Sequence, residues 1–104
     1  MRKVHKKVIG AFLATENIRT ANFSVRNIIQ DGKLYSVLYS YALPVAIREC
    51  NYEFGKFYIG NYIREISATT SAQIRAVVTT LNTLGLKYEM MSIKDFEKFV
   101  TETI

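Results

Sequence analysis

The stretch from Thr69 to Gly85 constrains the fold most strongly, because its apolar residues recur at the spacing of one helical face. Thr70 is expected to cap the first turn, and Gln73 completes a capping-box pattern three residues later. Gly85 is expected to end the helix in a left-handed conformation. A helix with one apolar stripe needs an apolar surface, and the β-like segments before it are the expected partner. The stripe consists of Ile74, Val77, Val78, Leu81 and Leu84.

The segments on either side of this helix predict a small sheet. Residues 20–28 and 33–41 alternate in character, and Asp31-Gly32 between them is a typical hairpin turn. Pro44 is expected at the start of a further strand, and Ser92 is expected to cap the last helix. The predicted strands are residues 20–28, 33–41, 45–48, 56–59 and 86–91, the predicted loop is residues 50–55, and the first helix is residues 3–14.

These elements predict an α+β fold, an antiparallel β-meander of about four to five strands with helices packed on one face. The chain of 104 residues is expected to form a single domain, residues 1–104. One face of strand 33–41 is expected to carry Tyr35, Val37, Tyr39 and Tyr41. The first helix is expected to leave its lysines off an apolar face that consists of Val4, Val8, Ala11 and Phe12.

Charge and composition limit the chemistry that the chain can perform. A net charge of +5 and a pI near 9.4 permit contact with nucleic acid or with an acidic protein surface. Cys50 and His5 are the only residues of their types and lie in no catalytic or metal-binding motif, so we expect no cofactor, no metal and no enzymatic activity. The single cysteine and the lack of a membrane-length apolar run favour a cytoplasmic protein without membrane contact. The small size is compatible with a homodimer.

Short motifs give the chain a resemblance to known proteins. Residues 40–46 fit S-Y-x-x-x-[IV]-A through Ser40, Tyr41, Val45 and Ala46, and Thr69-Thr70-Ser71 opens the long helix. With these motifs in the order of segments from residue 12 to residue 81, about two thirds of the chain, the sequence resembles small uncharacterised bacteriophage and mobile-element proteins. Such proteins often continue T-T-S with Lys-His, where this chain has Ala72-Gln73. The resemblance implies a small accessory protein that acts in the cytoplasm of a host cell.

The cluster Thr69, Thr70 and Ser71 is one candidate binding site. Three hydroxyls and the free N–H groups of a helix N-terminus together form a typical anion site. Arg64 precedes the cluster and Arg75 follows it by one turn, so a phosphate or an acidic side chain is the expected ligand. The alternative is that these hydroxyls only cap the helix.

A basic, tyrosine-bearing sheet face is the second candidate. Tyrosine and arginine on an exposed sheet can stack bases and hold phosphates. The same residue types are also typical of a protein interface, and the face could instead be covered by the first helix. The expected contributors to nucleic-acid or partner binding are Lys3, Lys6, Lys7, Arg26, Arg48, Arg64, Arg75, Tyr39 and Tyr41.

These observations favour a non-enzymatic accessory protein that binds nucleic acid. The alternative is a protein–protein inhibitor of a host defence or replication factor, in the manner of an anti-CRISPR protein. The net positive charge argues against simple mimicry of DNA, because a DNA mimic needs a negative surface. A small hydrolase is the third interpretation, and it lacks a complete set of catalytic residues in the sequence.

Overall fold

The computed structural model describes residues 2–51 and 55–104, so part of the predicted loop 50–55 lies outside the described residues. The described residues form one six-stranded sheet and three helices, which confirms the α+β class with one strand more than predicted. The helices are α1 (Lys3–Ala14), α2 (Ala68–Thr83) and α3 (Ile93–Thr103). The strands are β1 (Ile18–Arg19), β2 (Phe23–Gln30), β3 (Lys33–Ser40), β4 (Leu43–Glu49), β5 (Lys56–Gly60) and β6 (Tyr88–Met91).

The strands follow one another across the sheet in chain order. The pairs from β1 to β5 are antiparallel, as predicted for a meander, whereas β5 and β6 are parallel. The parallel pair arises because α2 connects the two strands, and a strand–helix–strand connection returns the chain in its original direction. The edge strand β1 was not predicted, since two residues are too few to show an alternating pattern.

Two local signals in the sequence form as predicted. Asp31 and Gly32 both adopt positive φ angles, of 53° and 76°, which is the backbone of the tight turn that joins β2 to β3. The Ser92 side chain accepts a hydrogen bond from the backbone N–H of Asp95 and caps α3. Both features depend only on neighbouring residues, so the sequence alone specifies them.

Different helices cover the two faces of the sheet. Phe57 and Tyr58 are consecutive in β5, so their side chains point to opposite faces. Phe57 contacts Phe12 of α1 with ring centroids 6.0 Å apart, whereas Tyr58 contacts Phe99 of α3 with centroids 4.5 Å apart. The helices therefore pack on both faces, although the sequence predicted a single covered face.

α2 packs beside α1 on the same face of the sheet. Phe23 and Ser40 are cross-strand neighbours and point to one face. Phe23 contacts the ring of His5 in α1, edge to face, at a centroid distance of 5.7 Å. The hydroxyl of Ser40 shares a buried hydrogen bond of 2.9 Å with the hydroxyl of Thr70 in α2. Both helix N-termini therefore lie at the end of the sheet where β2 begins and β3 ends.

The long helix buries most of its predicted stripe but begins and ends at other residues. The cap is Ser67, whose hydroxyl accepts a hydrogen bond from the backbone N–H of Thr70, so the prediction of Thr70 as the cap is wrong. Leu84 follows the last helical residue and is 55% exposed, and Gly85 adopts the predicted left-handed backbone with φ of 70°. Val78 is half-buried, and the buried residues of the stripe are Ile74, Val77 and Leu81.

α1 buries a stripe that is rotated from the predicted one. Val4 was expected inside but is 49% exposed, whereas His5 and Ile9 are buried. The contact between His5 and Phe23 accounts for this rotation, because it turns the side of the helix that carries His5 toward the sheet. The three lysines of α1 are exposed as predicted, and the remaining buried residues are Val8, Ala11 and Phe12.

α3 approaches the sheet closely at Gly60. A Cβ atom at this position would lie 2.5 Å from Cε2 of Tyr62 and 2.8 Å from Cδ2 of Phe96. Phe96 is fully buried and contacts Tyr62 edge to face with centroids 6.2 Å apart. Within the described ranges, no helix combines the length and the apolar composition that crossing a bilayer requires.

Candidate functional site

An open cavity of about 960 Å³ lies at the β1 edge of the sheet, and we call it the tyrosine cavity. The strand register explains which side chains meet there. Arg19 is paired with Ser24 and Ser24 with Tyr39, so the three side chains share one face, and Arg26 follows two residues later in β2. The lining residues are Asn17, Ile18, Arg19, Ser24, Val25, Arg26, Asn27, Tyr39, Tyr41 and Ala42.

Tyr41 reaches the tyrosine cavity from the β3–β4 turn, although the sequence placed it on the strand face. Its φ angle is 56°, and its backbone N–H donates a hydrogen bond of 2.9 Å to the carbonyl oxygen of Asn22. The side chain is 56% exposed, whereas that of Tyr39 is half-buried in β3. The cavity therefore has one tyrosine held within the sheet and one that is accessible to a ligand.

Arg19 is a site residue that the sequence did not reveal. It is exposed in the two-residue strand β1, and only its pairing with Ser24 brings it beside Tyr39. With Arg26, it places two guanidinium groups next to two phenol rings. In the part of the chain that the structure describes, no Asp or Glu lines this cavity. Such a set of side chains can hold a phosphate and stack a base.

Arg48 lies on the opposite face of the sheet from Arg26. Its Nη1 donates a hydrogen bond of 2.7 Å to Oγ1 of Thr15 and one of 3.4 Å to Sγ of Cys50. Gly55 has a φ angle of 79°, and a Cβ atom there would lie 2.7 Å from Nε of Arg48. Arg48 is thus half-buried and joins β4 to the end of α1, so the structure does not bring it to the tyrosine cavity.

His5 and Cys50 are also kept apart by the fold. His5 lies near the start of α1, while Cys50 accepts a hydrogen bond of 3.9 Å from the hydroxyl of Thr15, which follows the last residue of that helix. Ten residues of α-helix span about 15 Å. The imidazole and the thiol therefore lie at opposite ends of α1 and do not form a pair.

Two hydroxyls of the Thr69-Thr70-Ser71 cluster have partners within the fold. Thr70 is 1% exposed and bonds to Ser40, and Ser71 is 4% exposed and accepts a hydrogen bond of 2.7 Å from the backbone N–H of Arg64. Thr69 is half-buried and lines a separate cavity. The bond between Ser40 and Thr70 also links the S-Y and T-T-S motifs, so these motifs hold α2 against the sheet.

A second basic surface lies on α1 and α2. Neither helix contains an aspartate or a glutamate, whereas α3 carries residues of both charges. Each helix begins without an acidic side chain in its first turn, so its positive dipole end is not neutralised there. The exposed cations of the two helices are Lys3, Lys6, Lys7 and Arg75.

Three cavities follow this surface, and we call them together the helix groove. The first, of about 430 Å³, lies between the start of α1, residues 20–23 and the start of α2. The second and third, of about 560 and 270 Å³, lie between α1 and α2. Arg2 and His5 line the first two, and Thr79 lines the last two. Among the residues that the structure describes, no carboxylate lines the helix groove.

His5 makes the stability of the fold depend on pH. Burial lowers the pKa of His5 below its ordinary value of 6.5, and the positive charge of Arg2 lowers that pKa further. The folded protein therefore binds fewer protons than the unfolded chain as the pH falls through about 6.5, so the free energy of unfolding decreases there. We expect urea unfolding to show lower stability at about pH 5.5 than at about pH 7.5.

The control for this pH effect is the His5→Gln variant, in which the only histidine of the chain is lost. Glutamine does not titrate, so the difference in stability between the two pH values should become smaller. An unchanged difference in this variant would show that another group is responsible.

The fold and its cavities define an α+β protein with two basic surfaces, one of which carries the half-buried Tyr39 and the exposed Tyr41. The chain matches no protein-family model, and no curated protein or solved structure is significantly similar to it. The geometry and charge of the cavities are therefore the basis for assigning a function.

Proposed function

We propose that this protein is a non-enzymatic accessory protein of a phage or mobile element that binds nucleic acid in the cytoplasm of its host. The tyrosine cavity carries this proposal, because Arg19 and Arg26 lie there beside Tyr39 and Tyr41 without a lining carboxylate in the described part of the chain. Guanidinium groups bind phosphate through paired hydrogen bonds, and phenol rings stack on bases. The tyrosine cavity thus offers guanidinium groups for the phosphate of a nucleotide and phenol rings for its base.

The distribution of charge favours nucleic acid over a protein partner. The cores of protein interfaces are typically depleted of lysine, although arginine and tyrosine are enriched there. Here the tyrosine cavity and the helix groove are lined by six cations, which are Arg2, Lys3, Lys6, Arg19, Arg26 and Arg75. The repeated negative charges of a polyanion can pair with the cations over the whole length of such a surface.

Two further observations support the non-enzymatic and phage-related parts of the proposal. The separation of His5 from Cys50 leaves the only thiol without an imidazole base beside it. The phage-related part rests on the S-Y and T-T-S motifs, in which the sequence resembles phage and mobile-element proteins.

The proposal is tested by titrating the protein with labelled single-stranded DNA and RNA and following fluorescence anisotropy. Binding is expected at low ionic strength and should weaken steeply with added salt, because phosphate contacts release counterions. The chain has seven tyrosines and no tryptophan, so quenching of its intrinsic fluorescence, after correction for absorption by the bases, reports stacking on tyrosine. Polyglutamate is the control polyanion and should cause no quenching. Absence of nucleic-acid binding at low salt would contradict the proposal and favour the inhibitor alternative.

A further inference from the structure

We infer that the tyrosine cavity and the helix groove form one continuous track for a single strand of nucleic acid. The inference rests on the proposed function and goes further, because it names the strandedness of the ligand and the path that it follows. The two surfaces belong to opposite faces of the sheet, so a ligand that contacts both must pass around the end of the sheet.

The segment of residues 17–23 is the common wall of the two surfaces. Residues 17–19 line the tyrosine cavity, and residues 20–23 line the first cavity of the helix groove. The carbonyl oxygen of Asn22 in this segment accepts hydrogen bonds from the backbone N–H of Tyr41, at 2.9 Å, and from Nε2 of Gln73, at 3.0 Å. The wall is therefore tied both to the turn that carries Tyr41 and to α2, and this fixes the spacing of the two surfaces.

Positive charge continues across this wall. Arg19 lies in the part of the segment that lines the tyrosine cavity, and Arg2 and Lys3 line the cavity beside the other part. Beyond them, Arg75 and Lys6 line the cavities between α1 and α2. The N-termini of both helices lie at this end of the sheet, so their dipoles add to the attraction for phosphate.

The shape of the path selects a single strand over a duplex. The molecule measures 35 × 27 × 27 Å, so the path turns from one face of the sheet to the other over a short distance. Double-stranded DNA has a persistence length of about 150 base pairs and cannot follow such a turn. A single strand is flexible enough to do so, and its unpaired bases are free to stack on Tyr39 and Tyr41.

The test is a length series of labelled oligothymidylates, from about 3 to about 16 nucleotides, with a duplex of the longest length for comparison. The affinity of the wild-type protein should rise with length until one strand spans both surfaces. In the triple variant Lys3→Gln, Lys6→Gln and Arg75→Gln, short strands should bind as in the wild type, and the gain with length should disappear. The salt dependence of long strands should fall from a slope of about 4 to about 2, because three of six phosphate contacts are lost.

A matched triple variant, Lys87→Gln, Lys94→Gln and Lys98→Gln, removes the same charge from exposed positions outside both surfaces and should retain the gain with length. Equal effects of the two triple variants would overturn the inference, as would duplex binding that is as tight as that of the single strand. Either result leaves nucleic-acid binding itself intact. Failure of every oligonucleotide to bind would instead overturn the proposed function and, with it, the continuous track.

Discussion

Replacing Arg19 and Arg26 together by glutamine is expected to weaken the binding of single-stranded oligonucleotides by about 100-fold. Each arginine is placed to make a charge-assisted hydrogen bond to phosphate, and such bonds contribute about 1.5–3 kcal/mol each. Two losses near the lower limit give about 3 kcal/mol, or roughly two powers of ten in the dissociation constant. Anisotropy titrations at one fixed salt concentration of about 0.1 M, where the Debye length is about 10 Å, measure this change directly.

The control removes two positive charges from α3, as Lys94→Gln and Lys98→Gln. This variant has the same net charge as the arginine variant but leaves the tyrosine cavity unchanged. A loss of less than about threefold is expected, because exposed charges beyond a Debye length are largely screened. If both variants lost affinity equally, binding would depend on net charge alone, and the tyrosine cavity would not be the site.

Replacing Phe96 by alanine is expected to cause the largest loss of stability, about 3–5 kcal/mol in the free energy of unfolding. Phe96 is fully buried, contacts Tyr62 edge to face, and lies against the position where Gly60 lacks a side chain. Its removal would leave a cavity between α3 and β5 that these neighbours cannot fill. Since domains of this size are stable by only about 5–15 kcal/mol, urea denaturation would show a large shift in midpoint.

The matched variant is Phe99→Ala on the same helix. Phe99 is half-buried and contacts Tyr58, so its loss removes less packing and should cost clearly less than the loss of Phe96. Equal losses of unfolding free energy in the two variants would mean that hydrophobic contact along α3 as a whole, and not the packing of Phe96 in particular, holds this helix on the sheet. A loss below about 1.5 kcal/mol for Phe96→Ala would contradict its central place in this core.

The candidate site was only partly predictable from the sequence. Tyrosine and arginine in the alternating pattern of one β-hairpin predict Arg26, Tyr39 and Tyr41 as binding residues, and all three line the tyrosine cavity. Arg48 was placed with them by the same reasoning, but its strand position puts it on the other face, where Thr15 accepts its hydrogen bond. Arg19 was missed since a two-residue strand has no periodicity. Strand register, which depends on distant pairing, decided where Arg19, Arg26, Tyr39 and Arg48 lie, whereas the β3–β4 turn places Tyr41.

The sequence by itself determined the local elements of this protein: the helix with Ile74, Val77 and Leu81 inside, the turn at residues 31–32 and the cap of α3. These features depend on residues within a few positions of one another, and their spacing expresses the geometry of the backbone. Only the tertiary structure decided that β6 runs parallel to β5 and that α3 covers the face opposite α1. Periodicity in the sequence shows which side chains share a face. Contacts between distant segments determine which helix packs against that face.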